Sequence, residues 1–87
     1  MQKLIKVSSS TSTSQLSGSI VASLDEGSNV EIRAIGAGAV NQMYKALASA
    51  RGIVATKGKD FLVRPGYDTV VENGNERTVM VAYVVIQ

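Results

Sequence analysis

The chain has 87 residues, which is enough for one domain with a modest core, and 45% of them are apolar, as in globular proteins and unlike disordered ones. It contains no cysteine and no histidine, so a disulfide framework, a thiolate nucleophile, a cysteine-based metal site and the usual general base near neutral pH are excluded. The net charge is only +2, but residues 33–64 hold six cationic side chains against one acidic side chain. This basic middle segment is either a nucleic-acid-binding face or a solvated helix flank.

These counts argue against an enzyme. Without histidine or cysteine, catalysis would need a Ser–Lys pair or paired carboxylates, and the neighbouring Asp25 and Glu26 do not indicate a shared cleft. We therefore expect no catalytic residue, no metal and no cofactor. No apolar run approaches the roughly 20 residues of a membrane span, and the first residues read as a strand, so the expected location is cytoplasmic.

The first strand and helix are predicted from Lys3 to about Gly27. Lys3 to Val7 alternates loosely, as a strand does, and the Ser/Thr run from Ser8 to Ser14 predicts a loop that leads into a helix. Ser12 followed by Gln15 fits a capping box, and Gly27 ends the helix. Its apolar stripe recurs at helical spacing: Leu16, Ile20, Val21 and Leu24.

A second strand and helix follow. Asn29 to Ile35 predicts a strand with Val30, Ile32 and Ala34 on its buried face. A helix is predicted from about Gly38 to Arg51, with Gly52 as a left-handed C-cap. Its predicted buried stripe is Val40, Met43, Leu47 and Ala50.

The last third predicts two strands. Lys59 to Arg64 reads as a strand that Pro65-Gly66 interrupts, which places it at a sheet edge or gives it a bulge, and Tyr67 to Glu72 continues extended. Asn73-Gly74 is a strong hairpin-turn signal, and Arg77 to Ile86 returns as the fourth strand.

The predicted fold is therefore a single α/β domain over residues 1–87, an α+β two-layer sandwich of order β-α-β-α-β-β. Right-handed crossovers place both helices on one face of a four-stranded mixed sheet. The fourth strand is apolar on both faces, so it is either central in the sheet or covered by a second subunit. Because no helix covers the other face of the sheet, we expect a homodimer or higher oligomer, with Met80, Val81 and Tyr83 in the interface.

The chain also resembles a known family, the stage V sporulation protein S family. The residues that carry the resemblance are AIGAGAVNQ at 34–42, KA at 45–46, ARG from 50, KVS from Lys6, Pro65 and the GxERT segment from Gly74. The resemblance implies an Alba-like nucleic-acid-binding fold and a role in sporulation and development.

The first candidate site is the glycine turn before the second helix. Gly36 and Gly38 permit a tight turn, and a helix N-terminus exposes free N–H groups that suit a phosphate. Asn41 and Gln42 would assist. The alternative is that both glycines serve the turn and close helix–sheet packing. The spacing is not a dinucleotide fingerprint, because Asn41 stands where a third glycine is required.

Other candidate residues flank this turn. Ser9 and Ser10 would lie beside it in the Ser/Thr loop, where their alternative role is helix capping, and Lys45 and Arg51 form the basic flank. Arg77 lies near the hairpin tip, which resembles the arm of Alba-like proteins. The family resemblance implies a lysine at the position of Ser10, so we expect binding of DNA or RNA to be weak.

The function predicted from the sequence is thus a small dimeric nucleic-acid-binding regulator. The alternative is a dimeric protein-interaction module, in which the same turn and loop contact a protein partner. Steep, sequence-independent salt dependence would favour the first, and selective binding with little salt dependence the second.

Overall fold

The structure, a computed structural model, describes residues 2–87. Its elements in chain order are β1 (Gln2–Val7), α1 (Thr13–Asp25), β2 (Asn29–Ile35), α2 (Ala37–Ala55), β3 (Phe61–Glu72) and β4 (Asn75–Ile86). The four strands form one sheet in the order β1-β2-β4-β3. β1 and β2 are parallel, whereas β4 is antiparallel to both of its neighbours, so the sheet is mixed as predicted.

The core lies between the sheet and the two helices. The helix-facing side chains in the middle of the sheet are almost fully buried, and Ile20 of α1 and Ala50 of α2 are inaccessible to solvent. The sheet contributes mainly these residues to the core: Val7, Val30, Ile32, Ala34, Phe61, Ala82 and Val84. We call the face with these residues the helix face and the opposite side the open face. No helix among residues 2–87 is long and apolar enough to cross a membrane.

The start and end of α1 follow the predicted signals. The Ser12 hydroxyl accepts a hydrogen bond from the Gln15 backbone N–H at 3.3 Å, as an N-cap does. Gly27, two residues beyond the helix, has φ +79°, which ends α1 in the left-handed conformation.

The prediction for the end of α2 was wrong. The helix continues through Gly52, whose φ is not positive, and the left-handed glycine is Gly58 at φ +72°. The extra turn buries Val54 against the core. Burial of a large apolar side chain, worth about 1.5–3 kcal/mol, outweighs the cost of about 1 kcal/mol for glycine inside a helix.

β3 is an edge strand, as predicted, but Pro65 does not break it. Its register with β4 is continuous from the pair Phe61–Ile86 to the pair Glu72–Asn75, without a bulge. Proline is tolerated because an edge strand has one side on which no ladder bond is required. Asn73 and Gly74 both have positive φ, as a type I′ turn requires.

β4 is central, which accounts for its two apolar faces. On the open face, Val81 is only 4% exposed although no helix lies above it. Arg33 of β2 reaches across β4, donating from Nη1 to Glu31 and from Nη2 to Asp68 of β3, both at 3.0 Å. This Glu31–Arg33–Asp68 bridge covers the middle of the open face, so Val81 needs no second subunit to be buried.

Ion pairs of this kind make stability depend on pH. Three aspartates are involved: Asp25 beside Lys57, Asp60 beside Arg51 and Asp68 beside Arg33. In each, the hydrogen bond from the basic side chain lowers the carboxyl pKa below its ordinary value of 3.8. The stabilisation is therefore present above pH 3.8 and disappears as the pH falls through the lowered pKa values.

We expect the melting temperature to be constant near neutral pH and to fall below about pH 4. Circular dichroism melts across this range would show it. Replacing Asp68 by asparagine should reduce the fall in melting temperature at acid pH. An unchanged fall in that variant would contradict its assignment to the Asp68–Arg33 pair.

Candidate functional site

The Ser/Thr loop after β1 lies against the N-terminus of α2, as predicted. A Cβ added to Gly38 would come within 2.9 Å of the Ser9 Cβ, so this glycine permits a close approach. The Gln42 side chain donates from Nε2 to the Thr11 carbonyl at 2.9 Å and to the Thr13 hydroxyl at 3.2 Å. Gln42 therefore fixes the loop to α2, and this structural role occupies its amide N–H groups.

The N-terminus of α2 has free donors. Gly36 is the N-cap residue, with φ +92° and ψ 156°, and no side chain caps the helix. Its conformation is one that essentially only glycine adopts. The first backbone N–H groups of α2 are therefore directed out of the helix without a side-chain acceptor, and the macrodipole favours an anion there.

Two exposed polar side chains follow on the surface of α2. Asn41 and Lys45 are four residues apart and hence adjacent on the helix surface, and both are exposed. Lys45 makes no ion pair with any described residue. Ser10 is exposed in the neighbouring loop, and its hydroxyl lies 3.1 Å from that of Ser8.

Arg51 is not part of this cluster. It lies in the C-terminal half of α2, about 20 Å along the helix axis from Ala37. Its Nε donates to Asp60 at 2.9 Å, which raises the pKa of the guanidinium and neutralises its charge locally. Of the six cations in the basic middle segment, three form ion pairs among the described residues, and the other three do not: the paired ones are Arg33, Arg51 and Lys57, and the others are Lys45, Lys59 and Arg64.

Arg77 lies on the other side of the sheet, in a cleft on the open face. This cleft, which we call the open-face cleft, has a volume of about 590 Å³. It is lined by Lys6, Val7, Ser8, Ser9, Arg33, Ile35, Val70, Glu72, Arg77 and Val79. Sequence reasoning singled out Ser9 and Arg77 but missed Lys6, although Lys6 begins the KVS motif. Four strands and one loop contribute to the cleft, a convergence that sequence spacing does not reveal.

The predicted interface residues do not share one face. Met80 lies on the helix face, beside Val40 and Tyr44 of α2, and is 40% exposed. Val81 and Tyr83 lie on the open face, where Tyr83 is half-buried and the Arg64 guanidinium is 5.7 Å from its ring centre. A contact surface formed by one face of the sheet therefore cannot include all three residues.

An exposed apolar surface instead runs between α2 and β3. Tyr44 of α2 is 74% exposed, and Met80 pairs in register with the exposed Tyr67 of β3. Val63 of β3 is also exposed on this side and lines a second shallow groove against α2. We call Tyr44, Val63, Tyr67 and Met80 the α2–β3 surface.

Comparison with solved structures gives the same architecture. Alba from Thermoplasma volcanium superposes with a TM-score of 0.65 over 98% of this chain and 99% of that chain, at 14% sequence identity. At this identity the likeness establishes an Alba-like fold.

Comparison with protein families is more specific. The family model of stage V sporulation protein S matches residues 3–87, which is nearly the whole chain and includes the glycine turn, the Ser/Thr loop and the hairpin. Of the described residues, only Gln2 at the start of β1 lies outside the match. The chain therefore belongs to the stage V sporulation protein S family.

Proposed function

We propose that this sporulation-related protein is a non-catalytic regulator that binds nucleic acid through the phosphate backbone. The observation that carries the proposal is the uncapped N-terminus of α2, where free backbone N–H groups lie beside the unpaired Lys45 and the exposed Asn41. The adjoining loop adds the exposed Ser10 hydroxyl, whereas Ser9 lines the open-face cleft. Backbone N–H groups, hydroxyls and lysines are the groups that contact phosphates and position a protein on nucleic acid.

The same arrangement predicts modest affinity. Few unpaired cations lie near this end of α2, since Arg51 is paired with Asp60 and the loop carries Ser10 where the family resemblance implies a lysine. Each phosphate contact contributes to affinity through counterion release, so few contacts mean weak binding. A second copy of the site would compensate, because two linked sites bind with avidity.

We also propose that the chain forms a homodimer through the α2–β3 surface. The open face does not require a partner subunit, because the Glu31–Arg33–Asp68 bridge already covers Val81. Tyr44, Tyr67 and Met80 are exposed between α2 and β3, and tyrosine and methionine are enriched in protein interfaces. Light scattering at about 100 µM is expected to give twice the monomer mass, and a monomer mass would contradict this interface.

The binding site is tested with Lys45→Gln. Fluorescence anisotropy with single- and double-stranded oligonucleotides at two salt concentrations measures the salt slope. Removing one phosphate contact should flatten the log–log slope by about 0.9 for duplex DNA and by about 0.7 for single strands. The loss of affinity should be the same for every oligonucleotide sequence, since phosphate contacts carry no base information.

Two matched variants control for net charge. Lys3→Gln removes the same charge from β1, and Arg51→Gln removes it from the ion pair with Asp60 at the far end of α2. Neither variant should flatten the salt slope as Lys45→Gln does. Equal losses of affinity in all three variants would mean diffuse electrostatic attraction without a defined site. Absence of binding by the parent chain at low salt would favour the protein-interaction module instead.

A further inference from the structure

The open-face cleft lies apart from the interface proposed above, on the opposite side of the sheet. Its wall and rim come from β1, β2, β3, β4 and the Ser/Thr loop, so it is built by the fold as a whole. Ile35, Val70 and Val79 share the open face by register and form an apolar floor. The floor and the rim have different chemistry.

The rim is cationic on one side. Lys6 makes no ion pair with any described residue, and Arg77 approaches Glu72 only to 4.0 Å, with both side chains about half exposed. The Ser9 hydroxyl has no hydrogen-bond partner among the described residues. The neighbouring Ser8 hydroxyl, by contrast, is hydrogen-bonded to the hydroxyls of Ser10 and Thr11. Lys6, Arg77 and Ser9 thus offer two charges and a free hydroxyl to an anion at the same opening.

The Arg33 side chain in the wall of the cleft is engaged in ion pairs. Arg33 is held by carboxylates on both sides, at 3.0 Å to Glu31 and 3.0 Å to Asp68, and its side chain is only 23% exposed. The charge of Arg33 is therefore compensated by carboxylates of the protein itself. Glu72 is the one acidic side chain that lines the cleft, and it opposes an anion there.

We propose that the open-face cleft binds a nucleotide, with its phosphate at Lys6 and Arg77 and its base on the apolar floor. A volume of about 590 Å³ is within the range of small-ligand sites, which combine a mainly apolar lining with a few placed polar groups. A planar heterocycle fits the flat surface of a sheet floored by branched aliphatic side chains. A phosphate explains why two cations and a free hydroxyl lie at the same opening.

Two sources could supply this chemistry, a free nucleotide and the terminal nucleotide of a strand. The probes are therefore adenosine monophosphate, adenosine, inorganic phosphate, and one oligonucleotide with and without a 5′ phosphate, titrated into the 15N-labelled chain. Amide shifts at Ile35, Val70 and Val79 are expected with adenosine monophosphate at lower concentration than with adenosine or phosphate alone. Tighter binding of the 5′-phosphorylated oligonucleotide than of adenosine monophosphate would identify the strand end as the source.

Charge variants separate the cleft from diffuse attraction. Lys6→Gln should weaken binding of adenosine monophosphate about tenfold, since a charge-assisted hydrogen bond is lost. Glu72→Gln should tighten it. Lys3→Gln is the matched control, because Lys3 lies on the same strand but points to the helix face.

Lys45→Gln should leave the nucleotide titration unchanged, so this proposal and the proposed interface on α2 fail independently. Shifts at the N-terminus of α2 in place of the cleft would overturn the proposal. Equal effects of Lys6→Gln and Lys3→Gln would also overturn it, as would adenosine monophosphate binding no better than phosphate.

Discussion

Val81→Lys is expected to unfold the chain, whereas Met80→Lys leaves it folded. The two residues are neighbours on β4 but point to opposite faces, and Val81 is 4% exposed against 40% for Met80. A lysine at 81 would bury an ammonium beside the Arg33 guanidinium, and an uncompensated buried charge costs several kcal/mol. This is a large part of the about 5–15 kcal/mol that stabilises a domain.

Chemical denaturation followed by circular dichroism measures both variants. Met80→Lys should retain the parental unfolding midpoint to within a small shift and should, under the proposed dimer, run as a monomer in light scattering. Val81→Met is the conservative control, since it retains an apolar side chain at the same place. A stable, folded Val81→Lys would mean that the bridge from Arg33 does not close over β4.

Gly36→Val and Gly38→Val should both destabilise the fold, but for different reasons. At Gly36 an added Cβ meets nothing within 4 Å, so the cost comes from backbone conformation alone, at φ +92°. Strain of this kind costs about 1–3 kcal/mol. At Gly38 the cost comes from the contact with Ser9, where overpacking also costs about 1–3 kcal/mol.

A third glycine of the same region provides the control. Gly52 lies inside α2, with open space around the position of a Cβ. Gly52→Ala should therefore stabilise the chain by up to about 1 kcal/mol, because alanine is the better helix former. The unfolding midpoints of the three variants would test these expected changes in stability. If Gly36→Val melts like the parent, the strained turn is not a constraint on the fold.

Much of the fold could be predicted from the sequence, because local signals and packing agree. The capping residue Ser12, the left-handed Gly27 and the Asn73-Gly74 turn each act within a few residues, and each prediction is confirmed. Gly52 misled the prediction because a local stop signal competed with burial of Val54, two residues later. Only the tertiary structure shows which of these effects is larger.

The candidate site was less accessible to sequence reasoning. Arg51 lies near Lys45 in sequence, but the length of α2 separates it from the glycine turn, and Asp60 pairs with it. Lys6 and Arg77 are 71 positions apart, and the sheet order brings them to one cleft. The cover of Val81 by Arg33 was likewise not predictable, because it joins two strands that are not sequence neighbours.

Pro65 also bears on how two copies of the chain can associate. β3 is an edge strand of twelve residues, and an unprotected edge of that length is a template for further strands and hence for aggregation. Proline in the middle of β3 removes a donor, and the flanking Arg64 and Asp68 add charge. Extension of the sheet from the β3 edge of one molecule to the next is therefore disfavoured, which favours association through side-chain surfaces on this side of the molecule.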